Sequence, residues 1–256
     1  MNSSLTSIHP KAKIGTDVHI DPFTMIHENV EIGDGTWIGS NVTIMPGARI
    51  GKKCRIFPGA VISAVPQDLK FSGEDSTAEI GDETTIREFV TINRGTKALG
   101  KTVVGKSNLL MAYVHVAHDV HLGNSAVLAN AVTLGGHVIV GDWAVIGAST
   151  GVHQFCRVGR HSIIGGYSVV TQDVLPFSNT VSEREIKVFG ANRTGLERRG
   201  FSREAIEKLQ TALRLLTRSG LNTSQAAAQI RAEIQDSSEV DELLSFIRES
   251  KRGVIK

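Results

Sequence analysis

The sequence predicts a mainly β fold in which short flat segments repeat every six residues, followed by a helical tail. The first observation is an unbroken run of isoleucines six residues apart: Ile8, Ile14, Ile20, Ile26, Ile32, Ile38, Ile44, Ile50, Ile56 and Ile62. The same phase continues to Val170, and only Asp68, Glu74 and Ala98 among its 28 positions are not Ile, Leu or Val. A helix repeats its apolar face every 3.6 residues and a strand every two, so neither produces this spacing. The pattern therefore indicates short segments joined by tight corners.

Each six-residue unit has the same internal order. A small or turn-competent residue often follows the apolar mark, as in Leu122-Gly123, where glycine tolerates backbone angles that other residues resist. The fourth residue after the mark is small or β-branched, as at Ala48, and fits a narrow interior between coils stacked about 4.8 Å apart. Cys54 and Cys156 occupy this inward position, so we expect buried free thiols without a chemical role.

Composition and charge limit the classes of protein to which the chain can belong. The chain has 256 residues and a formal charge of +2, from 28 Lys plus Arg against 26 Asp plus Glu, which does not suggest a nucleic-acid-binding protein. It has no run of 18 apolar residues, and its first residues lack the basic and apolar regions of a signal peptide. We therefore expect a cytoplasmic protein without a transmembrane segment.

Two polar stretches interrupt the repeat. They lie near residues 63–79 and 93–102, and the first leaves the six-residue phase intact, which is typical of a loop that projects from a coil. Long loops on a rigid scaffold often carry function.

After the repeat ends at Asp173, the sequence contains residues that are typical of helix ends. Ser202 is a candidate cap for one helix, Thr223 or Ser224 for a second, and Ser238 for a third that begins with a capping box. We predict a β-repeat domain over residues 1–190 and a helical domain over residues 191–256. From Arg184 to Arg218 the tail carries nine basic residues against four glutamates, which fits either a solvated face or a docking patch for an acidic partner.

Repeats of this form resemble the hexapeptide family of left-handed parallel β-helices, in which three units make one triangular coil. The resemblance implies about nine coils between residues 8 and 170. The left hand is also implied by the resemblance alone, because parallel crossovers are right-handed in about 98% of cases.

Histidines converge in such a coil. Positions three units apart stack, so the units that begin at Val116, Leu134 and Val152 lie one above another. His115, His118, His137 and His153 then lie on one side of three successive coils, and an imidazole with a pKa near neutrality suits general-base chemistry. Zinc is the competing interpretation, but it needs three or four converging ligands. The spacing lacks the His-x4-His pair of the gamma-class carbonic anhydrases, so no metal is expected.

Six local motifs depart from the plain repeat: Gln67-Asp68-Leu69-Lys70, Ile92-Asn93-Arg94-Gly95-Thr96, His115-Val116-Ala117-His118-Asp119, Gly135-Gly136-His137, Val152-His153-Gln154-Phe155, and the segment 195–206. In this order they resemble the UDP-N-acetylglucosamine O-acyltransferases, which carry out the first step of lipid A biosynthesis. The resemblance covers nearly the whole chain, including the tail. It implies transfer of a 3-hydroxyacyl group from acyl carrier protein to the 3-position of UDP-N-acetylglucosamine.

The resemblance also implies roles for particular residues. His118 is expected to be the general base, Asp119 its orienting partner, and the Gly136 N–H the donor that stabilises the oxyanion. No covalent acyl-enzyme is needed, and no cofactor is expected beyond the phosphopantetheine that carries the acyl donor.

Further positions match family contacts to the sugar nucleotide or the acyl chain: Asp68, Lys70, His115, His137, His153 and Gln154, with Asn192, Arg198 and Arg199 from the tail. Asp68 could instead be a loop cap, and Gln154 and Asn192 backbone partners. The family is homotrimeric, with active sites between neighbouring chains.

One position departs from the family pattern. Asn93 stands where a histidine is usual, and it can donate a hydrogen bond but cannot carry charge. The acceptor could therefore be a 3-amino sugar analogue, which would give an amide. Gly166 matches the end of the acyl groove, where glycine leaves room for a long chain or simply forms a repeat turn. Another hexapeptide acyl- or acetyltransferase, and a non-catalytic scaffold, are the remaining alternatives.

Overall fold

The computed structural model describes residues 5–182 and 186–256. The chain forms a left-handed parallel β-helix followed by short C-terminal helices, so the predicted fold class is confirmed.

Twenty-five short strands form the β-helix: β1 (Ser7–Ile8), β2 (Lys13–Ile14), β3 (His19–Ile20), β4 (Met25–Ile26), β5 (Glu31–Ile32), β6 (Trp37–Ile38), β7 (Thr43–Ile44), β8 (Ala48–Ile50), β9 (Arg55–Ile56), β10 (Val61–Ala64), β11 (Thr77–Ile80), β12 (Thr85–Ile86), β13 (Thr91–Asn93), β14 (Lys101–Val104), β15 (Leu109–Leu110), β16 (His115–Val116), β17 (His121–Leu122), β18 (Val127–Leu128), β19 (Thr133–Leu134), β20 (Ile139–Val140), β21 (Val145–Ile146), β22 (Gly151–Val152), β23 (Arg157–Val158), β24 (Ile163–Ile164) and β25 (Val169–Val170). Two longer strands follow: β26 (Ser178–Ser182) and β27 (Ile186–Ala191).

These strands form three parallel sheets that wrap one core. Sheet A contains every third strand from β1 to β25, sheet B those from β2 to β23, and sheet C those from β3 to β24. We call the connections between them corners AB, BC and CA. Ile8 pairs with Ile26, and Val116 pairs with Leu134, which in turn pairs with Val152. The predicted stacking of positions three units apart is therefore confirmed, and the nine strands of sheet A agree with the expected number of coils.

The apolar marks fill the interior, as the repeat predicts. Ile38, Ile44 and Leu128 are each 0% exposed, and Cys54 and Cys156 are buried free thiols. Most corners contain one residue with positive φ, which lets a non-glycine chain turn sharply between two flat segments.

Both breaks in the repeat are insertions at corner AB. Ile62 pairs with Ile92 and Thr91 with His115, so the first of these coils is longer than a plain coil by two units and the second by one. β10 and β11 bound the first loop at residues 65–76, and β13 and β14 bound the second at residues 94–100. The loops are slightly shorter than predicted, and they lie in consecutive coils at one corner.

A hairpin closes the β-helix. β26 extends sheet C in parallel with β24, and β27 pairs with β26 in the antiparallel sense. The six-residue period gave no sign of this hairpin because its strands are longer and carry no such repeat.

Four helices follow: α1 (Arg193–Arg198), α2 (Arg203–Arg218), α3 (Thr223–Glu233) and α4 (Ser238–Glu249). The Ser202 cap is confirmed, since its side chain accepts a hydrogen bond from the Ala205 N–H. Asn222, rather than Thr223 or Ser224, caps α3. The capping box predicted at Ser238 is wrong, because α4 is capped one residue earlier, by Ser237.

None of the described helices combines the length and apolar character that crossing a bilayer requires. Arg184, the first residue of the predicted basic run, lies outside the described residues. Within the run, Arg193 pairs with Glu207 at 3.3 Å and Lys208 with Glu204 at 3.0 Å, so these two cations have partners within the tail.

Candidate functional site

The histidine cluster lies at corner AB, in the coils that follow the two inserted loops. His118 and Asp119 follow β16, and His137 follows β19 one coil later. Asp119 and His137 occupy the left-handed position of their corners, with φ of 59° and 61°. The corner backbone therefore directs these side chains to the same edge of the prism.

His118 and Asp119 form a hydrogen-bonded pair. The Nδ1 atom of His118 lies 2.8 Å from Oδ2 of Asp119. The Asp119 side chain is fully buried, whereas that of His118 is 14% exposed. An ionised carboxylate can only accept a hydrogen bond, so the proton of the neutral imidazole is assigned to Nδ1. This tautomer leaves Nε2 of His118 with a free lone pair.

His137 completes the cluster. Its Nε2 atom lies 3.7 Å from Oδ2 of Asp119, and its ring meets that of His118 edge-on at 5.3 Å. Phe155, from the next coil, stacks on the His137 ring with the ring centroids 4.6 Å apart. Phe155 was not selected from the sequence, although it lies in the corner after β22, at the position stacked one coil beyond His137.

Hydrogen bonds hold Asp119 as a carboxylate. Burial, the largest influence, raises its pKa, but hydrogen bonds from the Thr96 hydroxyl, His118 and the Thr96 N–H, with the nearby His137, together outweigh it and lower the pKa below its usual value. Asp119 is therefore an ionised acceptor for the Nδ1–H of His118.

An open cleft of about 580 Å³ runs over sheet A beside this cluster. His115, His118, Gly136, His153 and Gln154 are among its lining residues. Three of the four histidines in the stacking argument, His115, His118 and His153, therefore meet at one surface, whereas His137 contacts His118 and Asp119 and does not line the cleft. Gln67, which is also in the lining, was not selected from the sequence, although it immediately precedes Asp68 in the first inserted loop.

Gly136 lies directly against His118. A β-carbon on Gly136 would stand 2.7 Å from Cε1 and 2.8 Å from Nε2 of His118, so the position excludes side chains while His118 holds this place. Among the described residues, nothing accepts a hydrogen bond from the Gly136 N–H. The cleft therefore has a base nitrogen and an unpaired backbone donor in adjacent coils.

His115 is held as a neutral imidazole. Its Nδ1 lies 2.7 Å from Oγ1 of Thr91. Its pKa is lowered, first by burial and second by the neighbouring His118. His153 has a different environment, because it is exposed and its Nδ1 lies 3.1 Å from the Gln154 carbonyl oxygen.

Three predicted residues lie on or beside the inserted loops. Asp68 accepts a hydrogen bond from the Lys70 N–H at 3.0 Å, which is the loop-cap arrangement, while the Lys70 side chain is exposed. Asn93 is 2% exposed and donates to the Val65 carbonyl oxygen at 3.1 Å. Its amide oxygen is buried without a hydrogen-bond partner in the described chain. Asn93 therefore ties down the first loop from beneath the surface.

The predicted tail residues lie at a different corner. Asn192 caps α1 and donates to the carbonyl oxygen of His161 at corner BC. The guanidinium of Arg199 donates to the Trp143 carbonyl oxygen at 3.2 Å and lies 5.1 Å above the Trp143 ring. Arg198 is exposed. These residues do not line the cleft of their own chain, and neither does Gly166, which lies at corner CA.

His118, Asp119 and His137 are also the described residues that could hold a metal ion, since one ligand atom from each lies within 4.8 Å of the others.

Another groove, of about 460 Å³, lies on sheet B. Its acidic residues Glu31 and Glu79 pair with Lys13 and Lys101. That groove lacks the histidine and carboxylate cluster found at corner AB.

Comparisons with known proteins identify the family of the chain. Residues 173–255 match the family model described as UDP-N-acetylglucosamine O-acyltransferase, domain 2, and residues 29–64 match the bacterial transferase hexapeptide model. An acyl-(acyl-carrier-protein)–UDP-N-acetylglucosamine O-acyltransferase of Thiobacillus denitrificans is 43% identical over 97% of this chain and 96% of its own.

Solved structures of the same class are equally similar. A UDP-N-acetylglucosamine acyltransferase from Bacteroides fragilis superposes with a TM-score of 0.98 and 50% identity over 100% of both chains. A structure from Acinetobacter baumannii gives a TM-score of 0.95 and 38% identity over 99% of both chains. The chain therefore belongs to the family of acyl-(acyl-carrier-protein)–UDP-N-acetylglucosamine O-acyltransferases.

Proposed function

We propose that the protein transfers a 3-hydroxyacyl group from acyl carrier protein to the 3-hydroxyl of UDP-N-acetylglucosamine. The observation that carries the proposal is the pairing of His118 with buried Asp119 beside the unpaired Gly136 N–H, within one cleft. The names of the relatives supply the substrates, and the cleft supplies the groups that this reaction requires.

The first step is attack by the sugar. The Nε2 atom of His118 removes the proton from the 3-hydroxyl as its oxygen bonds to the carbonyl carbon of the thioester. Asp119 holds the Nδ1–H of the same ring and stabilises the imidazolium that forms. The pair needs no additional base, because the carboxylate remains ionised throughout.

The second step releases the carrier. Negative charge gathers on the former carbonyl oxygen, where the Gly136 N–H is suited to donate a hydrogen bond. The carbon–sulfur bond then breaks, and the imidazolium returns its proton to the departing thiolate of phosphopantetheine. Atoms and charge balance without a covalent acyl-enzyme. The buried thiols fit this scheme poorly as nucleophiles, since burial raises the pKa of both Cys54 and Cys156.

The remaining predicted residues are proposed to bind substrates. His115, His153 and Gln154 line the cleft and His137 lies against His118, and their imidazole and amide groups can bind sugar hydroxyls or phosphate oxygens. Asp68 and Lys70 lie on the first inserted loop, near the cleft residue Gln67.

The position of the tail residues supports a shared site. His118 lies at corner AB, whereas Asn192 and Arg199 attach to corner BC of the same prism. A site that uses both groups therefore needs a second copy of the chain, in agreement with the expected homotrimer. Arg198 and Arg199 would then bind phosphate through the planar guanidinium fork. Gly166, at corner CA, is proposed to border the acyl groove, where the absence of a side chain leaves room for the chain end.

We also propose that the protein acts in the cytoplasm, where the proposed donor and acceptor would be available to it. Phosphopantetheine on acyl carrier protein is the one prosthetic group that the reaction uses.

A second acceptor follows from Asn93. The presence of a neutral amide at residue 93, where the family usually has a histidine, is the reason to test a 3-amino sugar analogue. In that case nitrogen replaces oxygen as the attacking atom, and the product is an amide.

The test is a matched assay of the purified protein. UDP-N-acetylglucosamine and its 3-amino analogue are each supplied with acyl carrier protein loaded with 3-hydroxyacyl groups of increasing length. We expect transfer to the 3-hydroxyl, with the largest kcat/KM for one chain length. Preference for the amine would select the N-acyl alternative, and absence of transfer from any acyl carrier protein would contradict both proposals.

A further inference from the structure

We infer that Thr96, in the second inserted loop, is a positioning residue that holds the Asp119 carboxylate in the orientation in which it binds His118. The inference rests on the proposed function, because it concerns the same catalytic pair. It assigns a task to a loop residue that does not itself line the cleft.

Thr96 binds both oxygens of the carboxylate. Its backbone N–H donates to Oδ1 of Asp119 at 3.0 Å, and its hydroxyl donates to Oδ2 at 2.6 Å. The same Oδ2 atom accepts the Nδ1–H of His118 at 2.8 Å. Two donors from one residue fix both the place and the plane of the carboxylate. The direction of the His118 hydrogen bond is fixed with them.

The contact is buried. Thr96 is 6% exposed and Asp119 is 1% exposed. The backbone N–H of Asp119 donates to Oγ1 of Thr102, which secures the main chain beneath the carboxylate. Water therefore has little access, and a lost donor at this site is poorly replaced by solvent.

The shape of the second inserted loop brings Thr96 into contact with Asp119. A β-carbon on Gly95 would lie 2.2 Å from the Lys101 backbone nitrogen, so the loop closes too tightly for a side chain there. The Gly100 N–H donates to the Thr96 carbonyl oxygen at 2.7 Å, which closes the turn around Thr96. A plain coil of three units has no segment that reaches over Asp119.

The same loop supports the first insertion. The Lys97 N–H donates to Oε1 of Glu74 at 2.9 Å, and the Asn93 amide donates to the Val65 carbonyl oxygen at 3.1 Å. Residues 93–97 therefore hold the loop of Asp68 and Lys70 on one side and the catalytic carboxylate on the other. The two contacts should therefore affect different steps. Loss of the Thr96 hydroxyl should change the catalytic step, because this hydroxyl binds Asp119. Loss of the Glu74 contact should change substrate binding, because it supports the loop that carries Asp68 and Lys70.

Electrostatics agrees with the geometry. Two groups besides Thr96 bear on the pair of His118 and Asp119: His137 faces Asp119, and His115 faces His118. Among the influences that lower the pKa of Asp119, the Thr96 hydroxyl is the largest, second in size only to the opposing effect of burial. Without the hydrogen bond from the Thr96 hydroxyl, the carboxylate of Asp119 interacts more strongly with a protonated His118.

The experiment compares Thr96→Val, which removes the hydroxyl and keeps the shape and the backbone donor, with Thr96→Ser, which keeps the hydroxyl. The matched control is Thr36→Val, at a fully buried threonine of corner BC whose hydroxyl donates to the Gly51 carbonyl oxygen. Should Thr96→Val fail to fold, Thr96→Ala removes the same hydroxyl without adding an apolar methyl group near the carboxylate. Thermal unfolding establishes that each protein is folded.

We expect Thr96→Val to lower kcat by about 10-fold, a typical effect of losing a hydrogen bond to a charged group. The KM for the sugar nucleotide should change less than twofold, and the acid side of the kcat/KM profile should move to higher pH. Thr96→Ser should restore most of kcat, and Thr36→Val should keep the native kcat. In contrast, Glu74→Gln should raise KM more than it lowers kcat.

Nitrogen-15 NMR of histidine-labelled protein provides a readout that needs no substrate. The wild type should show His118 with its proton on Nδ1, and Thr96→Val should shift the tautomer signals. If the wild type transfers no acyl group but the signals still shift, the proposed function is wrong and the role of Thr96 stands. Native kcat, native pH profile and unchanged signals in Thr96→Val would overturn the inference, as would an equal loss in Thr36→Val.

Discussion

The imidazole of His118 occupies the space in which a β-carbon of Gly136, one coil further along, would stand. The nearest approach would be 2.7 Å, to Cε1 of the ring. The stacked coils therefore bring the His118 ring against the Gly136 backbone, where a side chain at residue 136 would collide with the ring. Glycine is required here by the neighbouring ring rather than by the φ angle of a turn.

The first prediction follows from this contact. Gly136→Ala should displace His118 and lower kcat by about 100-fold, because a shift of about 1 Å in a catalytic group has that effect. Gly151→Ala is the comparison, since a β-carbon there meets no atom within 4 Å. It should lower kcat far less. Measured kcat values and a crystal structure of Gly136→Ala test the displacement, and an unmoved His118 with native kcat would contradict it.

His118→Ala should lower kcat by about 100-fold or more, which is the usual contribution of general-base catalysis. Its effect on the unfolding temperature should be small, because the ring is partly exposed at the cleft. His121→Ala is the matched control, since His121 is exposed on sheet B in the next strand. Near-normal turnover in His118→Ala would remove this residue from its proposed role.

The fold was predictable because one apolar mark every sixth residue has few structural solutions. Ile62 and Ile92 pair in register across an insertion, since the marks keep their phase on both sides of it. The same six-residue spacing predicted that four histidines lie on one side of the β-helix. It could not predict the contact of Thr96 with Asp119, because that contact depends on the path of a loop that has no period.

Two other features could not be predicted from the sequence. Helix α1 is six residues long and begins at Arg193, too short for an apolar period to appear. Asn93 was expected at the substrate, and its hydrogen bond to the Val65 carbonyl oxygen could not be predicted. That contact depends on the path of the first inserted loop, which has no sequence period.

Removing metal ions should leave activity unchanged. Two ligand atoms on one tetrahedral zinc lie about 3.3 Å apart, given zinc–ligand distances of about 2.0 Å. The 2.8 Å between His118 Nδ1 and Asp119 Oδ2 is instead a hydrogen-bond distance, and the carboxylate already accepts two hydrogen bonds from Thr96. Metal analysis should find far less than one zinc per chain. Stoichiometric zinc, lost together with kcat on chelation, would reverse this interpretation.

His161 should make the protein less stable in acid. The ring is 4% exposed and lies between Trp143 and Phe177. Burial, followed by the charges of Arg160 and Arg199, lowers its pKa to about 4 from 6.5. As the pH falls from about 6.5 towards 4, the unfolded chain gains a proton that the folded chain does not. Stability is therefore present above pH 6.5 and is lost through this window.

The loss attributable to His161 should reach about 2 kcal/mol at pH 5. His161→Phe keeps a flat ring and removes the titration, so its urea midpoint should fall less than that of the wild type between pH 7 and pH 5. His121→Phe, at an exposed position on sheet B, controls for the general effect of removing a histidine. Equal falls for the wild type and His161→Phe would show that another group governs acid stability.

The separation of His118 and Arg199 on two corners of one prism predicts that neighbouring chains share each active site. The protein should have a mass of three chains of 27.5 kDa by light scattering. His118→Ala and Arg199→Ala should each have little activity alone. In hybrids made by equal co-expression, about a quarter of the sites should combine an intact His118 from one chain with an intact Arg199 from its neighbour. Activity should recover in that proportion, because each intact group is supplied by the chain that lacks the other. Hybrids that assemble but stay inactive would place both groups in the site of a single chain, and the proposed role of Arg199 would then be wrong.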